Sequence, residues 1–318
     1  MYNKEKSADQ SKVAEMKIAL IGLGKMGSNM ARRLKKGGID VVGYSLSKED
    51  AQRLADEIGM EVAFAYKEIV EKLTPPRIIW SMVPAGEATK EVAQTFYALL
   101  EQGDYFIDGG NSYYKDSEAR AKEFRNKGIH FFDVGVSGGI WGLEEGYSLM
   151  IGGDQKAADM LIPLFQALAP SQENGWGFVG PSGAGHFVKM VHNGIEYGMM
   201  EAIAEGFEVM KAKQEFGLDL EKIASIWQFG SVVRSWLLDL TRDALREDAE
   251  LKDIESWVED SGEGRWTLHE AIDLAVPTPV ISASLNRRFD SRQTDSFALK
   301  LLSAMRHKFG GHAIKGNK

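Results

Sequence analysis

The sequence predicts an α/β protein in which a doubly wound, mainly parallel sheet is followed by an all-α C-terminal domain. Over the first 180 residues, short apolar runs alternate with helical patterns, which is typical of βα units. The first of these runs leads directly into a glycine-rich turn. After residue 180 the strand-like alternation stops, and helical periodicity continues to the end of the chain.

Composition narrows the class of protein. The chain has 318 residues, of which 44% are hydrophobic and 26% charged, as in globular proteins with room for two domains. A net charge of −8 argues against nucleic-acid binding as the main function. The absence of cysteine excludes disulfides, thiolate metal sites and cysteine nucleophiles, and no metal is expected. No apolar run approaches 18 residues and no secretory signal is recognisable, so we expect a cytoplasmic protein without a membrane partner.

The change in pattern predicts the domain organisation. Residues 1–15 are polar and carry no strand or cap signal, so we interpret them as a disordered extension. Residues 16–180 are predicted to form a dinucleotide-binding domain. Residues 181–318 are predicted to form a helical domain for substrate binding and dimerisation.

The glycine turn is the strongest signal in the first domain. Residues 17–21 have the length and composition of a buried parallel strand. A helix is predicted at residues 26–36 and a second strand at 40–44. In this context a G-x-G-x-x-G turn predicts a Rossmann-type site, because its glycines let a pyrophosphate approach the helix N-terminus. The alternative is a tight turn without a ligand. The predicted contacts are Gly22, Leu23, Gly24, Lys25, Met26 and Gly27.

The residues directly after the second strand indicate whether the cofactor is NAD or NADP. An acid there would bind a ribose 2′-hydroxyl, whereas hydroxyl and basic groups would bind a 2′-phosphate. The chain has Tyr44, Ser45, Leu46, Ser47 and Lys48 at this point, without an acid at the strand end. We therefore expect NADP or NAD and favour NADP. The alternative for Ser47 is that it caps the next helix.

Further strands are predicted at residues 61–64, 77–83, 105–108, 130–136, 148–151 and 177–179. Ligands of such sheets bind beyond the carboxyl ends of the strands. The residues expected there are Val83, Pro84 and Ala85 beside the dinucleotide, Asn111 beside both ligands, and Ser137, Gly138 and Gly139 beside the substrate. The alternative for each is turn chemistry alone.

One long helix, predicted at residues 183–208, carries the candidate catalytic groups. Lys189, His192, Asn193, Glu196 and Tyr197 are spaced i, i+3, i+4, i+7 and i+8, so they share one face. Apolar residues surround them, which indicates a shielded pocket; the alternative is a solvated polar stripe. The residues expected to bury the other faces are Phe187, Val188, Met190, Val191, Ile195, Met199 and Met200. Gly194 and Gly198 predict close approach of a backbone or a flat ligand.

Other helices are predicted at residues 219–228, 235–246, 254–257, 266–275, 279–289 and 297–308. This region contains basic groups that suit a phosphate monoester, although a surface ion pair is the alternative for any one arginine. They are Arg265 with Thr267, the cluster Arg287, Arg288 and Arg292, and the tail from Arg306 to His312.

Four segments together resemble the short form of the decarboxylating 6-phosphogluconate dehydrogenases, which belong to the β-hydroxyacid dehydrogenases. They are the glycine turn, Asp-Gly-Gly-Asn-Ser at 108–112, Val-Gly-Val-Ser-Gly-Gly at 134–139, and Gly-His-Phe-Val-Lys-Met-Val-His-Asn-Gly-Ile-Glu-Tyr at 185–197. The resemblance covers most of residues 17–318. It implies oxidation and decarboxylation of 6-phospho-D-gluconate to D-ribulose 5-phosphate and CO2 with hydride transfer to NAD(P), a step of the pentose phosphate pathway and gluconate utilisation. We expect a homodimer or homotetramer.

The resemblance also implies residue roles. Lys189 would be the general base and Glu196 the acid, with Asn193 and His192 orienting base and substrate. The residues implied to hold the sugar acid are Asn111, Ser137, Gly138 and Gly139, and those implied to hold its phosphate are Tyr197, Arg265, Thr267, Arg287, Arg306 and His312. Arg265 replaces a lysine of the family, Arg287 or Arg288 replaces an arginine, and Ser45-Leu46-Ser47 replaces the Asn-Arg-Thr of the long NADP form.

Two other functions remain open from the sequence. One is a β-hydroxyacid dehydrogenase acting on an unphosphorylated acid of the 3-hydroxyisobutyrate type. The other is a non-catalytic regulator that binds a dinucleotide.

Overall fold

The computed structural model describes residues 16–315, so the disordered extension predicted at residues 1–15 lies outside them. The chain divides into two compact units, Met1–His192 and Asn193–Lys318. No helix among the described residues is long and apolar enough to cross a membrane.

The first unit contains a sheet with the order β3-β2-β1-β4-β5-β6-β7-β8. Neighbouring strands run parallel except for β6 and β7, which pair antiparallel. The predicted doubly wound, mainly parallel sheet is therefore confirmed. Its strands are β1 (Lys17–Ile21), β2 (Asp40–Tyr44), β3 (Glu61–Val62), β4 (Ile78–Ser81), β5 (Tyr105–Asp108), β6 (His130–Ser137), β7 (Ser148–Gly152) and β8 (Trp176–Gly180).

Helices cover both faces of this sheet. In β1, Ile18 and Leu20 belong to one buried apolar cluster, whereas Ala19 and Ile21 belong to another. Because successive side chains of a strand point to opposite faces, both faces of β1 are buried. The helices of this unit are α1 (Lys25–Lys36), α2 (Lys48–Ile58), α3 (Tyr66–Glu71), α4 (Glu87–Leu99), α5 (Tyr114–Asn126), α6 (Gly142–Glu145) and α7 (Ile162–Leu168).

The helix that carries the candidate catalytic groups is one uninterrupted element, α8 (Ala184–Ala212). The helices that follow it are α9 (Leu220–Trp227), α10 (Trp236–Glu247), α11 (Glu263–Asp273), α12 (Pro279–Asp290) and α13 (Phe297–Gly310). The second unit has a small buried cluster, formed by Phe207, Ala224, Leu238 and Leu245. The predicted all-helical C-terminal part is confirmed.

Some predicted elements were wrong in extent or kind. Residues 254–257 form irregular chain with one bend rather than a helix, with Ile254 and Trp257 exposed. A four-residue pattern cannot offset the cost of starting a helix unless it buries a face. The third strand has two residues instead of four, and the fourth has four instead of seven.

The apolar side of α8 also differs from expectation. Ile195, Met199 and Met200 were predicted to be buried but are exposed. Their spacing identified an apolar face correctly, but the described residues cover it only in part: Arg288 contacts Met200, which stays 40% exposed.

Candidate active site

The glycine turn joins β1 to α1 in a form that requires glycine. Gly22 has φ +94°, and a side chain there would lie 2.7 Å from the carbonyl oxygen of Met82. A side chain at Gly27 would overlap the carbonyl oxygen of Gly22. Gly24 precedes α1, faces open space and leaves the helix without a side-chain cap. The first amides of α1 are therefore available to an anion such as a pyrophosphate. Of the other predicted contacts, Leu23 is buried, while Lys25 and Met26 begin α1.

The segment after β2 favours the alternative interpretation of Ser47. Its side chain accepts a hydrogen bond from the Asp50 amide at 3.2 Å and so caps α2. The Lys48 amine lies 5.5 Å from the ring centre of Phe64. Tyr44 ends β2 and Ser45 follows it. The cap uses a lone pair of the Ser47 oxygen, so its hydroxyl can still donate. The two acids in the first turn of α2, Glu49 and Asp50, disfavour a 2′-phosphate nearby by charge repulsion.

A buried carboxylate that the sequence analysis missed orders the loop after β5. Asp108 accepts hydrogen bonds from the Gly110 amide at 3.1 Å and the Ser112 hydroxyl at 2.9 Å. The loop curls around this carboxylate and leaves Asn111 exposed. An acid at the end of an apolar strand was the signal for this role. In the loop after β4, Val83 is half-buried and Pro84 and Ala85 are exposed.

Two residues of β6 set the position of Lys189. Asp133 is buried and accepts hydrogen bonds from the amides of Gly183 at 2.6 Å and His186 at 2.9 Å, where α8 begins. A side chain at Gly135 would lie 2.5 Å from the Lys189 Cβ atom. The absent side chain lets α8 pack directly on β6, and Lys189 is only 9% exposed there. The sequence analysis missed both residues, although an acid and a glycine inside an apolar strand were visible signals.

The end of β6 brings two predicted residues together. The Ser137 hydroxyl lies 3.5 Å from His192 Nε2, one helical turn beyond Lys189. Gly138 and Gly139 follow with φ of +136° and +53°, which favours glycine at both positions. Lys189, His192 and Ser137 thus form one cluster in the first unit.

The same face of α8 continues through Asn193 and Glu196, which are half-buried. The expectation of a backbone or flat ligand at Gly194 and Gly198 was wrong. A side chain at Gly194 would lie 3.0 Å from Thr267, and one at Gly198 would lie 3.1 Å from Val280. Side chains of α11 and α12 therefore occupy this space. The Thr267 hydroxyl donates to the Glu263 carbonyl within α11 at 2.8 Å, which orients the Thr267 side chain that faces Gly194.

A buried arginine stacks on Tyr197 in the second unit. The Arg288 guanidinium lies 3.7 Å from the centre of the Tyr197 ring, and Arg288 is 5% exposed. Its Nε atom has no hydrogen-bond partner. The Tyr197 hydroxyl accepts from the Ser261 amide at 3.0 Å, which holds the ring in place. Arg288 Nη2 also contacts the Met200 sulfur at 3.8 Å, so a ring and a thioether, both weak partners for a buried cation, hold the guanidinium.

Three other predicted arginines, Arg265, Arg287 and Arg292, have carboxylate partners. Asp260 accepts from Arg265 and Arg292, each at 2.7 Å. The hydrogen bond from Arg265, and then that from Arg292, lowers the pKa of Asp260 to about 2. Arg287 is largely exposed and its Nε lies 3.6 Å from Glu201. Arg306 and His312 lie at the exposed end of α13, where the His312 carbonyl is 2.8 Å from His307 Nδ1.

A glycine-turn sheet followed by a helix bearing an amine and a carboxylate on one face defines a dinucleotide-dependent oxidoreductase. The model for the NAD binding domain of 6-phosphogluconate dehydrogenase matches residues 17–177, and that for its C-terminal domain matches residues 185–300. The chain belongs to the 6-phosphogluconate dehydrogenase family, as the resemblance implied.

Relatives of the same length are found. A putative 6-phosphogluconate dehydrogenase of Bacillus subtilis is 46% identical over 94% of this chain and 99% of its own. An NAD(+)-dependent, decarboxylating 6-phosphogluconate dehydrogenase of Haloferax volcanii is 42% identical over 94% and 98%. The structure of Plasmodium falciparum 6-phosphogluconate dehydrogenase, studied with NADP+ and 6-phosphogluconate, has a TM-score of 0.78 and 29% identity, covering 95% of this chain and 67% of that one. The predicted short form and enzyme class are confirmed.

Proposed function

We propose that the chain oxidises and decarboxylates 6-phospho-D-gluconate to D-ribulose 5-phosphate and CO2, with hydride transfer to NAD or NADP. The observation that carries the proposal is the single face of α8 on which Lys189 and Glu196 lie two turns apart. Residues 16–180 bind the dinucleotide, and residues 181–318 provide the groups for the substrate phosphate and for dimerisation.

Lys189 and Glu196 act at neighbouring carbons of the substrate: C3, which is oxidised, and C2, which becomes C1 of ribulose 5-phosphate. Neutral Lys189 accepts the proton of the 3-hydroxyl while hydride leaves C3, which forms a β-keto acid. The protonated amine then stabilises the enolate that forms as CO2 leaves. Glu196 gives a proton to C1 of the enediol. His192 and Asn193 orient the base and the substrate, and Asn111, Ser137, Gly138 and Gly139 hold the sugar acid. The nicotinamide, when bound, accepts the hydride.

Arg288 favours a phosphorylated substrate over an acid of the 3-hydroxyisobutyrate type. A buried guanidinium stacked on Tyr197 offers donors that a phosphate monoester would satisfy, whereas an unphosphorylated acid would leave them unpaired. Between the two adjacent arginines, Arg288 is the stronger candidate because Arg287 is exposed and pairs with Glu201. Lys189 and Glu196 on one face also argue against a non-catalytic regulator.

Reduction of NAD and NADP in the presence of 6-phosphogluconate, followed by absorbance, tests the proposed function. We expect turnover with 6-phosphogluconate and none with 3-hydroxyisobutyrate. Absence of turnover with both dinucleotides would contradict the proposal. The same assay decides the cofactor: the sequence favoured NADP, but Glu49 and Asp50, in the first turn of α2, oppose a 2′-phosphate by charge.

Replacing Glu196 with glutamine should slow the final protonation and leave dinucleotide binding unchanged. Glutamine keeps the size of the side chain but carries no acidic proton, so kcat should fall by about 100-fold or more. The measurement is incorporation of solvent deuterium at C1 of ribulose 5-phosphate, with the dissociation constant of the dinucleotide as the control. Deuterium incorporation at the wild-type rate would exclude Glu196 as the acid.

Exposed apolar surface supports a homodimer or homotetramer. None of the 14 residues of α13 is buried, although Phe297, Leu299 and Phe309 are among them. Together with Ile195, Met199 and Met200 of α8, these exposed residues form apolar surface of the kind that protein interfaces cover. We propose that a second copy covers it and that the tail of one copy, with Arg306 and His312, reaches the substrate phosphate of the other.

Mixed oligomers test whether the tail acts between copies. Lys189→Ala lacks the base but keeps the tail, whereas Arg306→Ala keeps the base. If the tail acts in trans, random re-formation of dimers from equal amounts restores about a quarter of the sites, since half the dimers are mixed and each has one intact site. Activity no greater than the mean of the two parents would place the tail in its own subunit. A monomer by light scattering would end the oligomer proposal.

A further inference from the structure

Helix α1, which begins at the glycine turn, also holds a distant loop by its backbone. The Asn29 side-chain amide donates to the carbonyl oxygen of Ile140 at 3.1 Å. Arg33, one turn further along α1, donates to the carbonyl oxygen of Leu143 at 3.0 Å. Both acceptors lie in residues 138–146, the β6–β7 loop, which begins with Gly138 and Gly139 and includes the short helix α6.

Arg33 spans two further carbonyl groups at the end of α7. Its Nε donates to the Leu168 carbonyl at 2.9 Å and its Nη2 to the Ala169 carbonyl at 2.5 Å. These carbonyls lie at the C-terminus of α7, where a cation is favourable. The Leu168 carbonyl also accepts from the Tyr147 amide at 2.9 Å, so Arg33 adds a second bond there. The fork geometry of arginine allows one side chain to bond the loop and α7 together, which a lysine amine cannot reproduce.

The orientation of the Asn29 amide is set by a second arginine. Arg32 Nη1 donates to the Asn29 oxygen at 3.1 Å, so the Asn29 nitrogen is the atom that faces Ile140. Arg32 is itself held by two bonds of 2.7 Å to Glu57 on α2. The network Glu57–Arg32–Asn29 therefore presents a donor, rather than an acceptor, to the loop.

The loop needs such an anchor because its own side chains provide little. Gly138, Gly139 and Gly146 have positive φ. Glycine loses more backbone entropy on ordering than any other residue, so fixing these three positions is costly. Ile140 and Trp141 are 59% and 47% exposed, so each buries only part of its apolar surface. Gly142 packs against the buried ring of Tyr147, but this contact does not hold Gly138 and Gly139 themselves.

We propose that Asn29 and Arg33 are positioning residues for the oxidation of the sugar acid: they fix the backbone of Gly138 and Gly139, while neither touches substrate. The inference rests on the proposed function, in which these glycines hold the sugar acid. One helix thereby sets both the dinucleotide turn at its start and the sugar-acid loop beside its middle.

The test compares Asn29→Asp, Asn29→Ala, Arg33→Ala and Arg33→Lys with Lys35→Ala. Aspartate has the shape of asparagine but places an acceptor against the Ile140 carbonyl, so it should displace the loop more than alanine does. We expect KM for 6-phosphogluconate to rise about tenfold in Asn29→Asp, with kcat and the dinucleotide dissociation constant within about twofold of wild type. Arg33→Lys should recover part of the KM lost in Arg33→Ala.

Lys35→Ala is the matched control, since it removes another cation of α1 whose 2.6 Å ion pair with Asp40 lies away from the loop. Hydrogen exchange of the amides of residues 139–143 should increase in Asn29→Asp and stay at the wild-type rate in Lys35→Ala. Unchanged exchange in Asn29→Asp, or a rise of KM and dinucleotide dissociation constant together, would overturn the inference. Absence of turnover in the wild type would instead overturn the proposed function, and the exchange measurement would still decide the role of Asn29.

Discussion

Lys189→Ala is expected to lower kcat with 6-phosphogluconate by about 1,000-fold or more, because it removes both the base for C3 oxidation and the cation that stabilises the enolate. The dinucleotide dissociation constant should stay within about twofold of the wild-type value, since the glycine turn is built from other residues. Single-turnover measurement of hydride transfer, with the dissociation constant from fluorescence titration, checks both expectations.

The matched control for this experiment is Lys211→Ala. Lys211 lies on the same helix, is exposed and pairs with Glu250 at 2.5 Å. It should turn over at the wild-type rate. Turnover near the wild-type rate in Lys189→Ala would show that Lys189 is not the base and that the face of α8 does not carry the reaction.

Arg288→Met is expected to reduce kcat/KM for 6-phosphogluconate by about 100-fold or more, because a desolvated charge pair with the phosphate is lost. Turnover of unphosphorylated gluconate, measured at high concentration, should be unaffected. Arg287→Ala is the neighbouring comparison, and a larger loss in that variant would assign the phosphate to Arg287 instead.

Thermal unfolding without substrate distinguishes binding from structure at the same position. A buried guanidinium with an unpartnered Nε destabilises the free protein, whereas methionine would pack against Tyr197 without that cost. The Tm of Arg288→Met should therefore equal or exceed that of the wild type, and its increase on addition of 6-phosphogluconate should be smaller. A marked fall in Tm with unchanged KM would show that Arg288 only supports the fold.

Much of the fold could be predicted because the relevant signals are local. The strand at residues 17–21 was predicted with its observed ends, and the spacing of Lys189 and Glu196 placed both on one face of one helix. Each conclusion needs only the period of the element and its flanking glycines. The prediction failed at residues 254–257, where an apolar pattern had no surface to bury, and at Ile195, whose side of α8 is exposed.

The candidate site was harder to predict because its geometry depends on contacts between distant segments. Sequence spacing could not show that Asp133 would meet the start of α8, or that Gly194 would meet a threonine of α11. It also could not decide which of two adjacent arginines would stack on Tyr197. These outcomes depend on tertiary packing, which the period of a single element does not record.

The close packing at Gly135 has a consequence for variation and engineering of this enzyme. Because a methyl group there would lie 2.5 Å from the Lys189 Cβ atom, even alanine would push Lys189 away from the sheet by about 1 Å. A displacement of that size costs an enzyme about 100-fold in rate. Gly135→Ala, a chemically conservative substitution, should therefore be strongly deleterious, and mutant libraries should keep glycine at this position.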